Sequence, residues 1–201
     1  MPRIPVYILA GGKSSRLGAD KARLNLAGVS MLEWAASQYL HLDPRPKVIA
    51  DRIGKYDDLG YETLADLFPG RGPAGGLAAA FADHRRRKDQ DGWLLITACD
   101  LLGVRKNWLE RLLAARRPGA DWVAFRGEHW HPMPALVHTQ QKLSNERALW
   151  RLIEAASPVA LPPPDDWWHS ADLNDARILG RLERHRGLDV DKAAILPLHH
   201  A

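Results

Sequence analysis

The chain has 201 residues, 46% of them hydrophobic and 26% charged, with a single cysteine, Cys99. That length suits one domain with its own core, and one cysteine excludes both an intramolecular disulfide and a cysteine-based zinc framework. A net charge of +4 suits a polyanionic partner, but the basic residues are scattered and no RNA- or DNA-binding signature is present, so nucleic acid is not expected.

From the N-terminus, Met1-Pro2-Arg3-Ile4-Pro5 lacks a signal-type apolar segment, and no apolar run reaches the ~20 residues that span a bilayer. The expectation is a soluble, cytoplasmic protein with no membrane association. Val6-Tyr7-Ile8-Leu9-Ala10 is a continuous apolar run ending in Gly11-Gly12, the pattern of a buried parallel strand entering a loop. Ser30-Met31-Leu32-Glu33 is a capping box opening a helix through about residue 40. A strand at 47–50, a Gly- and Pro-rich loop at 69–76 and a helix carrying Leu77, Ala78 and Phe81 follow. His84-Arg85-Arg86-Arg87-Lys88 reads as a solvated helix end.

Trp93-Leu94-Leu95-Ile96-Thr97 is the most apolar strand, followed by a helix at 107–116. Strands at 120–125 and 133–137 flank a polar, aromatic segment at 126–131. A helix at 146–156, a proline-rich connector at 158–170, a brief strand at 171–173 and a helix from Asn174 to Arg186 complete the chain. This alternation predicts one domain over residues 1–201, a three-layer α/β/α, Rossmann-like fold with a mostly parallel sheet. Ligands in such sheets bind beyond the carboxyl ends of the strands, which directs attention to the loops after Ala10, Ala50 and Thr97.

The first of these loops reads Leu9-Ala10-Gly11-Gly12-Lys13-Ser14-Ser15-Arg16-Leu17-Gly18-Ala19-Asp20-Lys21. It is neither the dinucleotide nor the P-loop fingerprint. Its parts nevertheless suit a phosphate: two glycines that admit an anion to backbone N–H groups, two serine donors, and the cations Arg16 and Lys21. Asp100, at the end of the most apolar strand, is a plausible magnesium anchor, or else the cap of the helix that follows. Asp66 has two readings as well, a ligand-binding carboxylate or one that closes a turn on its own backbone. His129-Trp130-His131 is poor evidence for a metal pair and better read as a loop lining an acceptor site. Trp167-Trp168-His169 reads as a proline-braced satellite core. Cys99, beside Asp100, is no candidate nucleophile.

The same thirteen residues resemble the N-terminal signature of the molybdenum cofactor guanylyltransferases, within a wider nucleotidyltransferase family. Later segments agree in order: Asp66 with the Pro69–Leu77 loop, Thr97-Ala98-Cys99-Asp100, His131-Pro132 before Ala135-Leu136-Val137, and Asp172-Leu173-Asn174. The resemblance implies nucleotide binding by Leu9, Ala10, Gly11, Gly12, Lys21, Asp66 and Asp100, with Mg2+ on Asp100. It implies catalysis by Arg16, Lys21 and Asp100, with GTP and molybdopterin as substrates and no general base, because the acceptor phosphate is already ionised. Other cofactor-biosynthesis proteins or acceptor molybdoenzymes are the implied protein partners. Leu101-Leu102-Gly103-Val104 stands where the family has proline, Asp175-Ala176 replaces Thr-Pro, and Ile49, with Asp51 nearby, stands where some members have asparagine. Gly11 favours guanine over the cytidylyltransferase alternative, which tends to carry alanine there. A sugar-type nucleotidyltransferase and a non-catalytic nucleotide- or cofactor-binding protein are the remaining alternatives.

Overall fold

The computed structural model describes residues 3–11, 20–26, 28–86 and 92–167, together with the backbone of a last strand at 171–172. Its elements in chain order are β1 (Val6–Leu9), β2 (Asn25–Leu26), β3 (Val29–Ser30), α1 (Met31–Ser37), β4 (Lys47–Ala50), β5 (Thr63–Ala65), α2 (Pro73–His84) and β6 (Trp93–Ala98). They continue with β7 (Leu101–Leu102), α3 (Lys106–Ala114), β8 (Trp122–Arg126), β9 (Trp130–His138), α4 (Leu149–Glu154), β10 (Pro158–Leu161) and β11 (Ala171–Asp172). The predicted helix from Asn174 to Arg186 lies outside the described residues.

Seven strands form the main sheet in the order β10-β8-β9-β6-β1-β4-β5. β1 pairs in parallel with β4 and β6, β4 with β5, and β10 with β8, while β9 runs antiparallel between β6 and β8. The sheet is mostly parallel, as the alternation of strands and helices predicts. Period-2 alternation divides each central strand between two cores. Val6, Ile8 and Leu95 face the layer of α1 and α3, packing with Leu32, Ala36, Trp108 and Leu112. Tyr7, Leu9 and Ile96 face the layer of α2 and α4, packing with Leu77, Phe81, Leu149 and Leu152. Buried on both faces, these strands read as continuous apolar runs.

The capping box forms as the sequence predicts: the Glu33 N–H donates to the Ser30 hydroxyl at 3.2 Å, and the Ser30 N–H to the Glu33 carboxylate at 2.7 Å. Elsewhere tertiary contacts redraw local boundaries. α4 starts at Leu149, not near Glu146. The preceding residues are tied to the loop before α2, with Arg71 donating to the Ser144 carbonyl at 3.1 Å and Arg147 donating to the Gly70 carbonyl. The start of the expected connector at 158–170 is instead edge strand β10. Pro158 stands at its first residue, where a missing N–H is tolerated, and Val159 and Leu161 pack against the core. Within residues 126–131 only 127–129 form a loop, the tip of a β8–β9 hairpin, while Trp130 and His131 belong to β9, with Phe125 opposite His131 and Arg126 opposite Trp130.

The basic run is only partly a solvated helix end. His84 is buried within α2, Arg85 and Arg86 are exposed, and Arg87 and Lys88 lie outside the described residues. No helix among the described residues is long and apolar enough to cross a membrane.

Candidate functional site at the sheet's carboxyl end

From β1 the chain steps to β4 and β5 on one side, then returns to lay β6 on β1's other flank. The two connections leave in opposite directions between β1 and β6, opening the crevice where α/β sheets bind ligands. Here Leu9, Ala10 and Gly11 from the end of β1 meet Ala98, Cys99 and Asp100 from the end of β6. The Cys99 N–H donates to the Leu9 carbonyl at 3.0 Å, and the Ala10 N–H to the Ile49 carbonyl at 2.8 Å, fixing both strand ends. With Asp20, Lys21, Ala22, Pro73 and Met133, these residues line a cavity of about 260 Å³.

One wall is the N-terminus of α2, where Gly72 caps the helix without a side-chain hydrogen bond and Pro73 occupies the first turn. Gly72 has φ +62°, which a side chain would strain. The first turn packs closely on the strand ends through two glycines. A Cβ on Gly76 would lie 2.8 Å from Leu9 Cδ2, and one on Gly75 2.4 Å from Asp66 Oδ1. The positive pole of the α2 dipole is thereby brought to the cavity, where it favours an anion.

Of the sequence-predicted residues, the fold brings Leu9, Ala10, Gly11, Lys21 and Asp100 together around this cavity. Gly12 and Arg16 lie outside the described residues, as do Lys13, Ser14 and Ser15. Asp100 occupies the turn between β6 and β7, and α3 starts only at Lys106 with Arg105 as its cap. Asp100 is therefore not a helix cap. Asp66 does not line the cavity; its Oδ1 accepts from the Phe68 N–H at 2.8 Å, the turn-closing geometry. Ile49, where some relatives of the signature carry asparagine, is buried in the core, and Asp51 is exposed and paired with Lys55 at 2.9 Å.

The Leu101-Leu102 departure is β7, which pairs antiparallel with β11, setting Asp172 opposite Leu101. That register brings the backbone of Asp172 beside Leu101, the residue after Asp100; Leu173 and Asn174 lie outside the described residues.

Sequence alone gave no role to Asp20, Lys55 or Tyr56. The Tyr56 hydroxyl lies 2.9 Å from both Asp20 carboxylate oxygens, Lys55 Nζ lies 3.2 Å from Oδ2, and Oδ1 caps the Ala22 N–H at 3.2 Å. No local signal could have found this cluster, because Asp20 and Tyr56 are 36 positions apart. Burial and the Asp20 carboxylate push the Tyr56 phenol far above its ordinary pKa. Burial, then the neighbouring Asp100, pushes the Cys99 thiol up to about 12, leaving it un-ionised at neutral pH.

The hairpin residue His131 packs tilted against Trp167 with ring centroids 4.7 Å apart, and Trp167 stacks on Trp108 at 5.1 Å. Trp108 Nε1 donates to Asp166 at 2.8 Å. Trp167 therefore packs against the main core beside Trp108 and Phe125 and does not form the separate satellite core that its sequence context predicts; Trp168 and His169 lie outside the described residues.

Among the described residues, no three His, Cys, Asp or Glu side chains are grouped to hold a metal. Such a donor set does not suit zinc. It does suit Mg2+, which takes one or two carboxylates, substrate phosphates and water. Asp100 and Asp20 are the carboxylates that line the cavity, and Asp20 is also held by Tyr56 and Lys55.

Residues 6–159 match the family model described as the MobA-like NTP transferase domain. A probable molybdenum cofactor guanylyltransferase from Opitutus terrae is 28% identical, over 80% of this chain and 85% of its own length. The molybdenum cofactor guanylyltransferase from Rhizobium meliloti is 31% identical, over 93% of this chain and 78% of its own. Among solved structures, the molybdopterin-guanine dinucleotide biosynthesis protein A from Archaeoglobus fulgidus superposes with a TM-score of 0.69 at 20% identity, covering 90% of this chain and 97% of that one.

Proposed function

The chain belongs to the MobA-like NTP transferase family, and from that premise we propose that it transfers GMP from GTP to the phosphate of molybdopterin. An oxygen of the acceptor phosphate bonds to the α-phosphorus of GTP as the α–β phosphoanhydride breaks, and pyrophosphate leaves. The observation that carries this reading is the convergence of the Gly11 turn, Lys21, Asp100 and the α2 N-terminus on one cavity at the switch point. Such chemistry needs alignment and charge stabilisation more than a covalent nucleophile.

In this scheme Lys21 stabilises charge that accumulates on the triphosphate and the departing pyrophosphate, and Arg16 adds a second cation. Gly11 presents backbone N–H without a side chain in the way, and the α2 pole favours the same anion. Asp100 would hold Mg2+ together with the phosphates, and the ion supplies further charge neutralisation when bound. No group on the chain needs to take a proton from an ionised acceptor, and the un-ionised Cys99 does not attack. Asp66 supports nucleotide binding indirectly, by shaping the loop that leads to α2. The reaction is placed in the cytoplasm, with enzymes that make or use the cofactor as its protein partners.

Guanine selectivity is assigned to Gly11. An alanine Cβ there would lie 3.8 Å from the Ala50 backbone, an ordinary contact, so the fold itself does not demand glycine. Pyrophosphate release with Mg2+, molybdopterin and each nucleoside triphosphate in turn tests the reading. Release with GTP is expected. Release with CTP instead identifies the cytidylyl alternative, release only with a sugar phosphate acceptor the sugar-type one, and GTP binding without release a non-catalytic binding protein.

A further inference from the structure

Tyr56 is wholly buried, and its ring alone satisfies the core. Its hydroxyl is not needed for packing, yet it is directed at the carboxylate immediately preceding Lys21. The anchor beneath it is firm: the Tyr56 N–H donates to the Thr63 hydroxyl at 3.0 Å, which donates in turn to the Tyr61 carbonyl at 3.1 Å. Lys55 bridges Asp20 and Asp51 at 3.2 and 2.9 Å. On the far side of Lys21, Arg23 grips Asp58 with two hydrogen bonds of 2.7 and 2.8 Å and donates to the Lys55 carbonyl at 2.7 Å. The turn carrying Lys21 is thus fastened on both sides to the β4–β5 connection, an element the cavity does not include.

We propose that Tyr56, Asp20 and Lys55 are positioning residues for Lys21, bolting its turn to the β4–β5 connection so that the ammonium group meets the triphosphate in register. This rests on the reading of Lys21 as a triphosphate-binding cation. A lysine side chain is long and loses much freedom when held, so fixing its backbone determines how much of its charge reaches the reacting phosphate. Burial and the Asp20 carboxylate raise the Tyr56 phenol pKa, so that at neutral pH its hydroxyl carries the proton that it donates to Asp20.

The test is a double-mutant cycle on the full-length protein, with Tyr56→Phe, Lys21→Ala and the double variant read by kcat/KM for GTP and by GTP affinity. Tyr56→Phe is expected to lose about tenfold in the wild-type background and less than about twofold where Lys21 is already alanine. Asp20→Asn, which keeps the acceptor for the Ala22 N–H but loses the charge, should show the same dependence on Lys21. Tm is expected to stay within a few degrees of wild type for both. Wild-type behaviour of Tyr56→Phe, or an equal loss in both backgrounds, overturns the proposal while leaving the catalytic reading intact. A wild-type chain that binds GTP without turnover keeps the cycle readable through affinity alone. A wild-type chain that binds no nucleoside triphosphate overturns the function and this inference together.

Discussion

The two ends of the sheet differ in a way that cavity size conceals. At the amino end lie two large hollows, of about 650 Å³ beside Arg3, Asp43, Arg45 and Glu62, and about 700 Å³ beside Trp93, Arg116, Arg117 and His138. The carboxyl end holds one of only about 260 Å³. Yet much of the charge near the amino end is spent within the protein. Lys47 bridges Glu62 and Asp83 at 2.6 and 3.0 Å, Asp83 also accepts from Tyr7, and Asp43 accepts from the Val6 N–H. At the carboxyl end, strand ends, a helix pole, a lysine and a carboxylate converge where the chain reverses its direction of winding. Topology, not volume, marks the site.

The largest expected effect sharpens that contrast. Lys21→Ala and Asp100→Ala should each lower guanylyl transfer by about 10²–10³-fold while leaving the denaturant midpoint near wild type, because each removes charge stabilisation and neither is a core residue. Arg45→Ala and Arg117→Ala, in the larger hollows, should leave turnover within about twofold, the usual outcome for substitutions away from a site. A tenfold loss in either arginine variant would break the comparison.

A stability effect comes next. Gly75→Ala would push a methyl group against the Asp66 carboxylate and the Phe68 carbonyl, at 2.4 and 2.7 Å. Overpacking of this kind costs about 1–3 kcal/mol, and the lower urea midpoint should be accompanied by a higher KM for GTP as the α2 pole shifts. An unchanged midpoint would show that Asp66 moves freely and that the close approach of α2 is not required.

The smallest effect lies on the β8–β9 hairpin, outside the cavity lining, where His131 packs on Trp167. Burial, then the charge of His129, holds the His131 imidazole below its ordinary pKa. The unfolded chain therefore binds the proton more readily, so stability is full above about pH 6.5 and falls as pH drops from there through the lowered folded value. Urea midpoints at pH 7.5 and 5.5 should differ more for wild type than for His131→Gln. Equal differences would show that other groups carry the pH dependence.

Much of the molecule was legible in its linear pattern. The apolar runs at β1, β4 and β6 needed no tertiary information, because strands buried on both faces have no polar positions to interrupt them. The Ser30–Glu33 box marked the start of α1 because both partners lie within one turn. Four-residue β10 was hidden behind the prolines that follow it, and α4 lost its expected first turn to Arg71 and Arg147 contacts formed across 73 and 77 positions. Asp66 allowed two local readings, and the tertiary structure shows the turn-closing hydrogen bond to the Phe68 N–H.

By itself the sequence determined the layered fold and the end of β1 at the glycine that follows it, and singled out Lys21 and Asp100 as candidates, since each follows from residue type and short-range spacing. Tertiary structure decided that these residues share one cavity, that Asp100 is not a helix cap, and that Asp20 is held by Tyr56. Those facts depend on strand order and on contacts between distant segments, which local periodicity does not encode.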